Sequence, residues 1–169
     1  MPLLVHPASL PAEELLAQTR ESRTRRSGPG GQHRNKVETA VMLVHVPTGI
    51  SAEGAERRSQ AENRSVALKR LRLKLALQHR SPAACDGPSD LWRSRTRGRL
   101  LVVNADHDDY PALVAEALDR LQVTAFDMAT AAAGLAVSPT QLARLFRKDR
   151  TAWTALNSLR AGLGLPLLR

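Results

Sequence analysis

A run of turn-forming residues divides this chain of 169 residues into two parts. From Ser81 to Pro88 the sequence reads Ser-Pro-Ala-Ala-Cys-Asp-Gly-Pro, so two prolines and a glycine interrupt the helical pattern that precedes them. The hydrophobic fraction of 43% supplies enough apolar surface for folded cores and excludes wholesale disorder. We therefore expect two folded units, at residues 1–80 and 107–169, joined by an irregular, arginine-rich connector at residues 81–106.

The formal net charge of +9 is concentrated in the first part of the chain. Residues 1–80 hold 14 Lys and Arg against 7 Asp and Glu, a balance of +7, whereas residues 81–169 have a balance of only +2. Such an excess favours a polyanionic partner, most often nucleic acid. Aromatic residues make up only 3% of the chain, which argues against RNA-binding modules that stack bases on aromatic side chains.

The single cysteine, Cys85, limits the redox and metal chemistry of the chain. It can form neither an intrachain disulfide nor a cysteine-based zinc site, so we expect a reducing, cytoplasmic compartment, no metal and no cofactor. No apolar run approaches the roughly 18 residues of a membrane span, and residues 1–6 lack the basic start of a secretory signal. We expect no membrane partner, and a monomer.

Residues 40–80 predict a strand hairpin followed by a helix. Residues 40–46 are rich in β-forming side chains, Pro47-Thr48-Gly49 is a turn, and residues 50–53 return as a short partner strand. Ser59 and Glu62 form a capping box that opens a helix at about residues 60–79.

That helix has two apolar stripes separated by cations. The stripe that we expect to cover the sheet consists of Ala67, Leu68, Leu71 and Leu75. The stripe that we expect to meet the connector or the C-terminal unit consists of Val66, Leu73 and Leu77. We interpret the cations between them as a solvated face; they are Arg64, Lys69, Arg70, Arg72 and Lys74.

A glycine-rich segment with flanking cations lies at residues 25–36. Gly28, Gly30 and Gly31 permit backbone conformations closed to other residues, and such a loop suits a narrow, phosphate-lined space. The segment lacks the Gly-Lys-Ser/Thr ending of a Walker A loop, and its glycine spacing is wrong for a dinucleotide fingerprint. Without further information, a flexible surface turn is the ordinary interpretation.

Ser27-Gly28-Pro29-Gly30-Gly31-Gln32-His33, followed by Asn35-Lys36, resembles the catalytic loop of class I peptide chain release factors and their ribosome-rescue relatives. The resemblance continues through Ala40-Val41, the turn at residues 47–50, and Arg58-Ser59-Gln60 with Asn63, and so covers roughly residues 20–80. It implies an α+β fold: a small release-factor domain with a mixed sheet and a packed helix. Arg34 departs from the family, which commonly has an aliphatic residue there. We expect no codon-recognition domain within these 169 residues, because that larger domain would not fit beside the two units.

The resemblance also implies an activity, the hydrolysis of the peptidyl-tRNA ester in the peptidyl-transferase centre of the large ribosomal subunit. The expected catalytic residues are Gly30, Gly31 and Gln32. The Gln32 backbone N–H would donate to the developing oxyanion, its side-chain amide would position water, and the glycines would allow close approach. We do not assign His33 as a general base, because nothing in the sequence orients it. In the family a methyltransferase modifies this glutamine.

Contacts with ribosomal RNA are expected around the loop and in the connector. Residues 92–99 place an arginine at every second position, which in an extended strand would align four guanidinium groups about 6.6 Å apart along a phosphate backbone. A solvated linker is an equal alternative. The expected RNA-binding residues are Arg25, Arg26, Ser27, His33, Arg34, Asn35, Lys36, Arg58, Arg64, Arg93, Arg95, Arg97 and Arg99.

From Asp108 onward the pattern predicts four helices. The first has Pro111 in its opening turn, the second runs over about residues 127–134, and the third opens on a Ser138 cap with Pro139. The fourth runs over about residues 151–163. The residues predicted to be buried are Val114, Ala117, Leu118, Leu121, Leu142, Leu145, Phe146, Trp153, Leu156 and Leu159.

Residues 131–146 resemble a helix-turn-helix, with Ala136 where the turn often has glycine and with Arg144, Arg147 and Lys148 on the second helix. This unit could contact RNA or ribosomal protein, or only stabilise the chain. The leading hypothesis is a hydrolase for ribosome rescue that does not read a stop codon. The alternatives are a non-catalytic ribosome-binding or RNA-binding factor and, less favoured, a helix-turn-helix regulator that binds DNA.

Overall fold

The computed structural model describes residues 5–24, 39–81 and 87–169, and these form two compact units. The sheet unit is Leu10–Leu75, and the helical unit combines Met1–Ser9 with Ala76–Arg169. The expected α+β fold is confirmed. No helix among the described residues is both long enough and apolar enough to cross a bilayer.

The sheet unit contains a three-stranded sheet in the order β1-β2-β3. Both strand pairs are antiparallel, so the described strands do not form the mixed sheet that the resemblance implied. The five residues between β2 and β3 (46–50) are too few for the crossover that parallel strands require. The elements are α1 (Ala12–Ala17), β1 (Thr19–Thr24), β2 (Ala40–His45), β3 (Ser51–Gly54) and α2 (Gln60–Gln78).

The predicted hairpin and helix cap are confirmed. Gly49 has a φ of +71° and donates its N–H to the carbonyl of His45 at 2.8 Å, which closes the turn between β2 and β3. The N–H of Glu62 donates to Ser59 Oγ at 3.4 Å where α2 begins.

One stripe of α2 lies in the core of the sheet unit, as predicted. Ala67, Leu71 and Leu75 are fully buried, while Leu68 is only half-buried. Buried positions alternate along most of both strands, as in a sheet with one apolar face: Val41, Leu43 and His45 on β2, and Ala52 and Gly54 on β3. Ala40 at the start of β2 is also buried.

The helical unit includes most of the segment that was expected to be an irregular connector. Its elements after α2 are α3 (Asp90–Ser94), β4 (Thr96–Arg97), β5 (Leu100–Leu101), α4 (Tyr110–Val123), α5 (Met128–Gly134), α6 (Pro139–Arg147) and α7 (Arg150–Gly162). Helix α3 and the β4–β5 hairpin therefore correct the expectation of irregular structure. Ser89 caps α3 by accepting the N–H of Trp92, and two contacts distant in sequence hold the segment in place, since Ser89 also bonds to Glu116 and Arg95 to Asp109.

Large aromatic side chains form the centre of this unit. Trp92, Tyr110 and Phe146 are almost completely buried. The indole N–H of Trp92 donates to the Leu135 carbonyl at 2.9 Å, and the Tyr110 hydroxyl donates to the Leu145 carbonyl at 3.0 Å. These two hydrogen bonds therefore anchor α3 and α4 to the helix-turn-helix segment.

The predicted helix-turn-helix elements are present. Ser138 accepts the N–H of Gln141 at 3.2 Å at the start of α6, and Ala136 has a φ of +55° in the turn after α5. This left-handed conformation explains why such turns often contain glycine.

The predicted burial along α7 was partly wrong. Leu156 is buried as expected and Trp153 is half-buried, but Leu159 is 40% exposed. Arg160 is buried instead, because its guanidinium donates to the Phe126 carbonyl at 2.7 Å and to the Pro166 carbonyl at 3.0 Å. These acceptors compensate for the loss of water around the cation.

Candidate functional site

The predicted catalytic residues Gly30, Gly31 and Gln32 lie outside the described residues. So do seven predicted RNA-binding residues, namely Arg25, Arg26, Ser27, His33, Arg34, Asn35 and Lys36. The strands on both sides of this segment are described. Thr24 at the end of β1 pairs with Ala40 at the start of β2, so both ends of residues 25–38 are attached at the same end of the sheet.

Asn63 in the first turns of α2 holds one end of that segment. Its side chain is fully buried, and its Nδ2 donates to the carbonyl of Thr39 at 2.7 Å. The same amide binds the backbone of Arg57 twice, donating to the carbonyl at 2.9 Å and accepting the N–H at 2.8 Å. One buried side chain thus joins the residue before β2, the chain before α2 and the helix itself.

Gly54 allows this arrangement at the end of β3. A Cβ at this position would lie 2.1 Å from the carbonyl oxygen of Asn63 and 3.0 Å from the backbone nitrogen of Ala67. Both neighbours are backbone atoms of α2 and cannot rotate away, so a glycine is required for the strand to approach the helix this closely.

The roles of Asn63 and Gly54 were missed by the sequence reasoning, although signals existed for both. In the sequence, Asn63 stands out only as one of the residues that carry the resemblance to release factors. Asparagine is a poor residue inside a helix because its amide competes for backbone groups, and here it makes such bonds outside the helix. A glycine at the end of a short strand is a known sign of close backbone approach.

Two predicted RNA-binding arginines lie in the sheet unit and differ in their surroundings. Arg64 on α2 donates from Nε to Glu21 on β1 at 2.8 Å, and about half of its side chain is exposed. Arg58 is exposed and has no partner within the described part of the chain. Arg58 therefore offers a free positive charge just before α2, whereas the charge of Arg64 is largely matched.

The other cations of α2 do not form the purely solvated face that the sequence suggested. Arg70 donates to the Glu53 carbonyl and Lys74 to the Ser51 carbonyl, each at 2.8 Å, so both bind the backbone of β3. Arg70 also pairs with Glu56 at 2.6 Å, and this hydrogen bond lowers the pKa of the Glu56 carboxyl to about 2. These long side chains attach the helix to the sheet edge while remaining partly exposed.

The four arginines of residues 92–99 do not lie along an extended strand, because helix, hairpin and turn take up this segment. Arg93 is on α3, Arg95 caps its C-terminus, Arg97 is in β4 and Arg99 is in the hairpin turn. Arg95 is bound to Asp109, with Nε and Nη2 at 2.8 and 2.6 Å from the same carboxylate oxygen. All four belong to the helical unit, not to the unit that carries residues 25–38.

A family model described as an RF-1 domain matches residues 12–97. Among similar proteins, peptide chain release factor 1 of Acidiphilium cryptum is 50% identical over 66 residues, covering 39% of this chain and 19% of that protein. Peptide chain release factor 1-like, mitochondrial, of Mus musculus is 51% identical over 55 residues, covering 32% and 15%. Peptide chain release factor 2 of Variovorax paradoxus is 52% identical over 59 residues, covering 35% and 16%. The chain spans less than one fifth of the length of these relatives.

Proposed function

The chain belongs to the RF-1 domain family, and from this premise we propose that it hydrolyses peptidyl-tRNA on the ribosome, in translation termination or rescue, without reading a stop codon. The observation that carries the proposal is the extent of the family match. The match includes Gly30-Gly31-Gln32, the strands β1 and β2 on both sides of residues 25–38, and Asn63, which binds the Thr39 carbonyl at one end of these residues. The sequence and the described scaffold therefore support the same function.

The proposed chemistry needs no protein nucleophile. The Gln32 side chain orients a water that attacks the ester carbon, and the backbone N–H of Gln32 stabilises the oxyanion that forms. The bond between that carbon and the ribose oxygen then breaks, and the proton lost by the water ends on the ribose oxygen, so the products are a peptide with a free carboxyl group and deacylated tRNA. Gly30 and Gly31 let the backbone approach the terminal ribose of the tRNA. The contribution of the described scaffold is positional, because the Thr24–Ala40 pair and Asn63 fix where the segment leaves and re-enters the sheet.

We assign the contacts with ribosomal RNA to the cations of residues 25–36 and to exposed arginines. Arg58, Arg97 and Arg99 are exposed and have no ion-pair partner within residues 5–24, 39–81 and 87–169. Arg64, Arg93 and Arg95 each have a carboxylate neighbour, so we expect their removal to weaken ribosome binding less. These contacts depend on charge, so the binding constant should fall as the salt concentration rises.

The test is peptide release measured with four substrates in parallel: stalled ribosomes, ribosomes with an empty mRNA channel, split large subunits and free peptidyl-tRNA. Gln32→Ala should reduce release roughly 100-fold, because the water is no longer positioned. The matched control is Gln122→Ala, at an exposed position of α4. Gly30→Val should abolish release, because its side chain would keep the backbone from the terminal ribose of the tRNA. The control is Gly87→Val, at a position where an added Cβ meets nothing within 4 Å.

The same variants separate hydrolysis from the non-catalytic alternative. A ribosome-binding factor would bind large subunits equally well with Gln32 or Ala at position 32 and would release no peptide in either form. Release by the wild type that is unchanged in Gln32→Ala would refute the assignment of Gln32. Mass spectrometry of the protein from its native cells would show whether a methyltransferase modifies Gln32. The proposed monomeric state is checked by light scattering.

A further inference from the structure

An open groove of about 690 Å³ lies within the helical unit, between β5 with the residues that follow it and helix α6. The α6 side is mainly polar, since Gln141 and Arg144 on the helix and Lys148 at its C-cap recur at helical spacing and line it, with Leu145 as its apolar member. The opposite side is aliphatic and unusually open to solvent, with Leu100 56% and Val102 50% exposed. Such a pairing of apolar and cationic walls is typical of a binding surface.

The positive charge on the α6 side of this groove is not compensated by any carboxylate among the residues that the structure describes. Arg144 and Lys148 are exposed and have no ion-pair partner in the part of the chain that the structure describes. Arg95 also lines the groove, but Asp109 binds it at 2.6 Å and neutralises it. The groove thus has two free cations, four residues apart on one helix face, opposite two exposed aliphatic side chains.

The β4–β5 hairpin determines which side chains of this segment reach the solvent. Among the described residues β5 pairs only with β4, and Val102 N–H donates to the Arg95 carbonyl at 2.8 Å. Leu101 and Val103 alternate with Leu100 and Val102 and are each only 7% exposed, so the hairpin buries one face and leaves Leu100 and Val102 together on the open face.

The chemistry of the groove favours a protein segment over a nucleic acid. No Phe, Tyr or Trp lines it, and the ring that does, His107, is held by hydrogen bonds to Arg95 and to the Asp109 N–H, so the groove offers little platform on which bases could stack. The exposed side chains of Leu100 and Val102 can pack against the aliphatic side chains of a protein. A phosphate backbone has no apolar group of this kind to pack against them. The polar face of α6 forms a wall opposite residues 100–104, whereas a helix that reads DNA needs that face free to enter a major groove.

We propose that this groove binds an extended, acidic segment of a partner protein. Carboxylates of the segment pair with Arg144 and Lys148, and its aliphatic side chains pack on Leu100 and Val102. This site lies outside the Gly-Gly-Gln segment and does not depend on hydrolysis, so it can be tested in a protein whose Gln32 has been replaced.

The test uses fluorescence anisotropy of a labelled octapeptide of alternating Glu and Val, titrated with the full chain at low salt. Arg144→Gln and Lys148→Gln should each raise the dissociation constant about fivefold. The control Arg150→Gln makes the same charge change at an exposed position that does not line the groove, and should change it less than about twofold. Replacing Glu by Lys in the peptide should abolish binding.

A second pair of variants tests the aliphatic wall. Val102→Thr keeps the shape and β-propensity of the residue but places a hydroxyl in the groove, and should weaken binding about threefold. The control Val123→Thr makes the same change at the exposed C-terminus of α4. Circular dichroism establishes that each variant is folded.

The proposal is overturned if the peptide does not bind at millimolar protein, or if the groove variants behave like their controls. It is also overturned if a 12-nucleotide RNA or a 12-base-pair DNA binds more tightly than the peptide and displaces it. That last outcome would assign the groove to nucleic acid.

Discussion

The cores of the two units are stabilised by different interactions, and the difference begins with their composition. The sheet unit contains no Phe, Trp or Tyr, whereas all five aromatic residues of the chain lie at or beyond Trp92. The helical unit therefore buries large rings and satisfies their polar atoms with backbone carbonyls, as Trp92 and Tyr110 do. The sheet unit lacks such rings, and contacts from polar side chains to the backbone join its parts, as at Asn63, Arg70 and Lys74. The helical unit makes such contacts in addition to its buried rings, as at Arg160.

This difference suggests what each unit is suited to do. In the sheet unit, hydrogen bonds from side chains hold particular backbone atoms in place, such as the Thr39 carbonyl next to residues 25–38. Such bonds favour exact positioning of the adjoining segment. In the helical unit, large buried rings supply stability through the apolar area that they remove from water. The polar side chains on its surface therefore remain available for binding, as in the groove beside α6. The following predictions test this contrast, beginning with the largest effect.

Trp92→Ala should remove the main anchor of the helical unit. Loss of a buried tryptophan costs about 3–5 kcal/mol, and here the Leu135 carbonyl also loses its donor. Hydrogen exchange measured by mass spectrometry should show a large loss of protection in α5 and α6 and little change in β2. The control Trp153→Ala removes a half-buried ring and should have a smaller effect. Equal loss of protection in both units would mean that they unfold together and would break the comparison.

Asn63→Ala should destabilise the sheet unit and stop peptide release. The change leaves the Thr39 and Arg57 carbonyls and the Arg57 N–H without their partner, which we expect to cost about 2–4 kcal/mol. Release should fall even where the protein remains folded, because one end of residues 25–38 is no longer fixed. Asn157→Ala is the control, since this amide also binds backbone on both sides, at Leu168 near the chain end. Full release by folded Asn63→Ala would contradict the positioning role.

Local signals in the sequence were sufficient for much of the fold. Ser59, Ser138 and Gly49 mark helix starts and a turn by interactions within a few residues, and the structure confirms each of them. The helix-turn-helix elements were also predictable, because their cap and apolar spacing are local.

What could not be predicted depends on partners distant in sequence. The alternating arginines of residues 92–99 suggested an extended chain, but Ser89 bonds to Glu116 and Arg95 to Asp109, and these contacts hold a short helix and a hairpin. Arg160 lies inside the unit because Phe126 and Pro166 offer carbonyls, a fact that periodicity along α7 cannot reveal. The functions of Asn63 and Gly54 likewise need the position of α2 relative to the strands.

The stability of the helical unit should decrease below neutral pH through His6. Its Nδ1 accepts the N–H of Ala8 and its Nε2 donates to the His79 carbonyl, so the buried ring is neutral, and burial lowers its pKa from 6.5 to about 4. The unfolded state therefore binds the extra proton between about pH 6.5 and 4, and the free energy of unfolding falls as the pH decreases through this range. At pH 5 the loss is about 2 kcal/mol relative to pH 7.

The control for this pH dependence is His6→Gln, compared with the wild type by urea unfolding at pH 7 and pH 5. Burial raises the pKa of the Glu116 and Asp119 carboxyls, which changes stability in the opposite direction, but both groups are present in either protein. The difference between the two proteins therefore isolates His6. If the variant loses as much stability as the wild type, the neutral, buried state of His6 is not the cause.

The smallest expected effect concerns an aromatic ring that is not fully buried. The guanidinium carbon of Arg147 lies 4.8 Å from the ring centre of Trp153, a cation–π contact between α6 and α7. Arg147→Gln should lower the free energy of unfolding of the helical unit by about 0.5–1 kcal/mol, since the contact is exposed. Arg144→Gln on the same helix has no such contact and should cost almost nothing in stability. If Arg147→Gln lowered the free energy of unfolding as much as Trp92→Ala does, a partly exposed ring would stabilise the unit as much as a buried one. The contrast between a helical unit stabilised by buried rings and a sheet unit stabilised by hydrogen bonds would then fail.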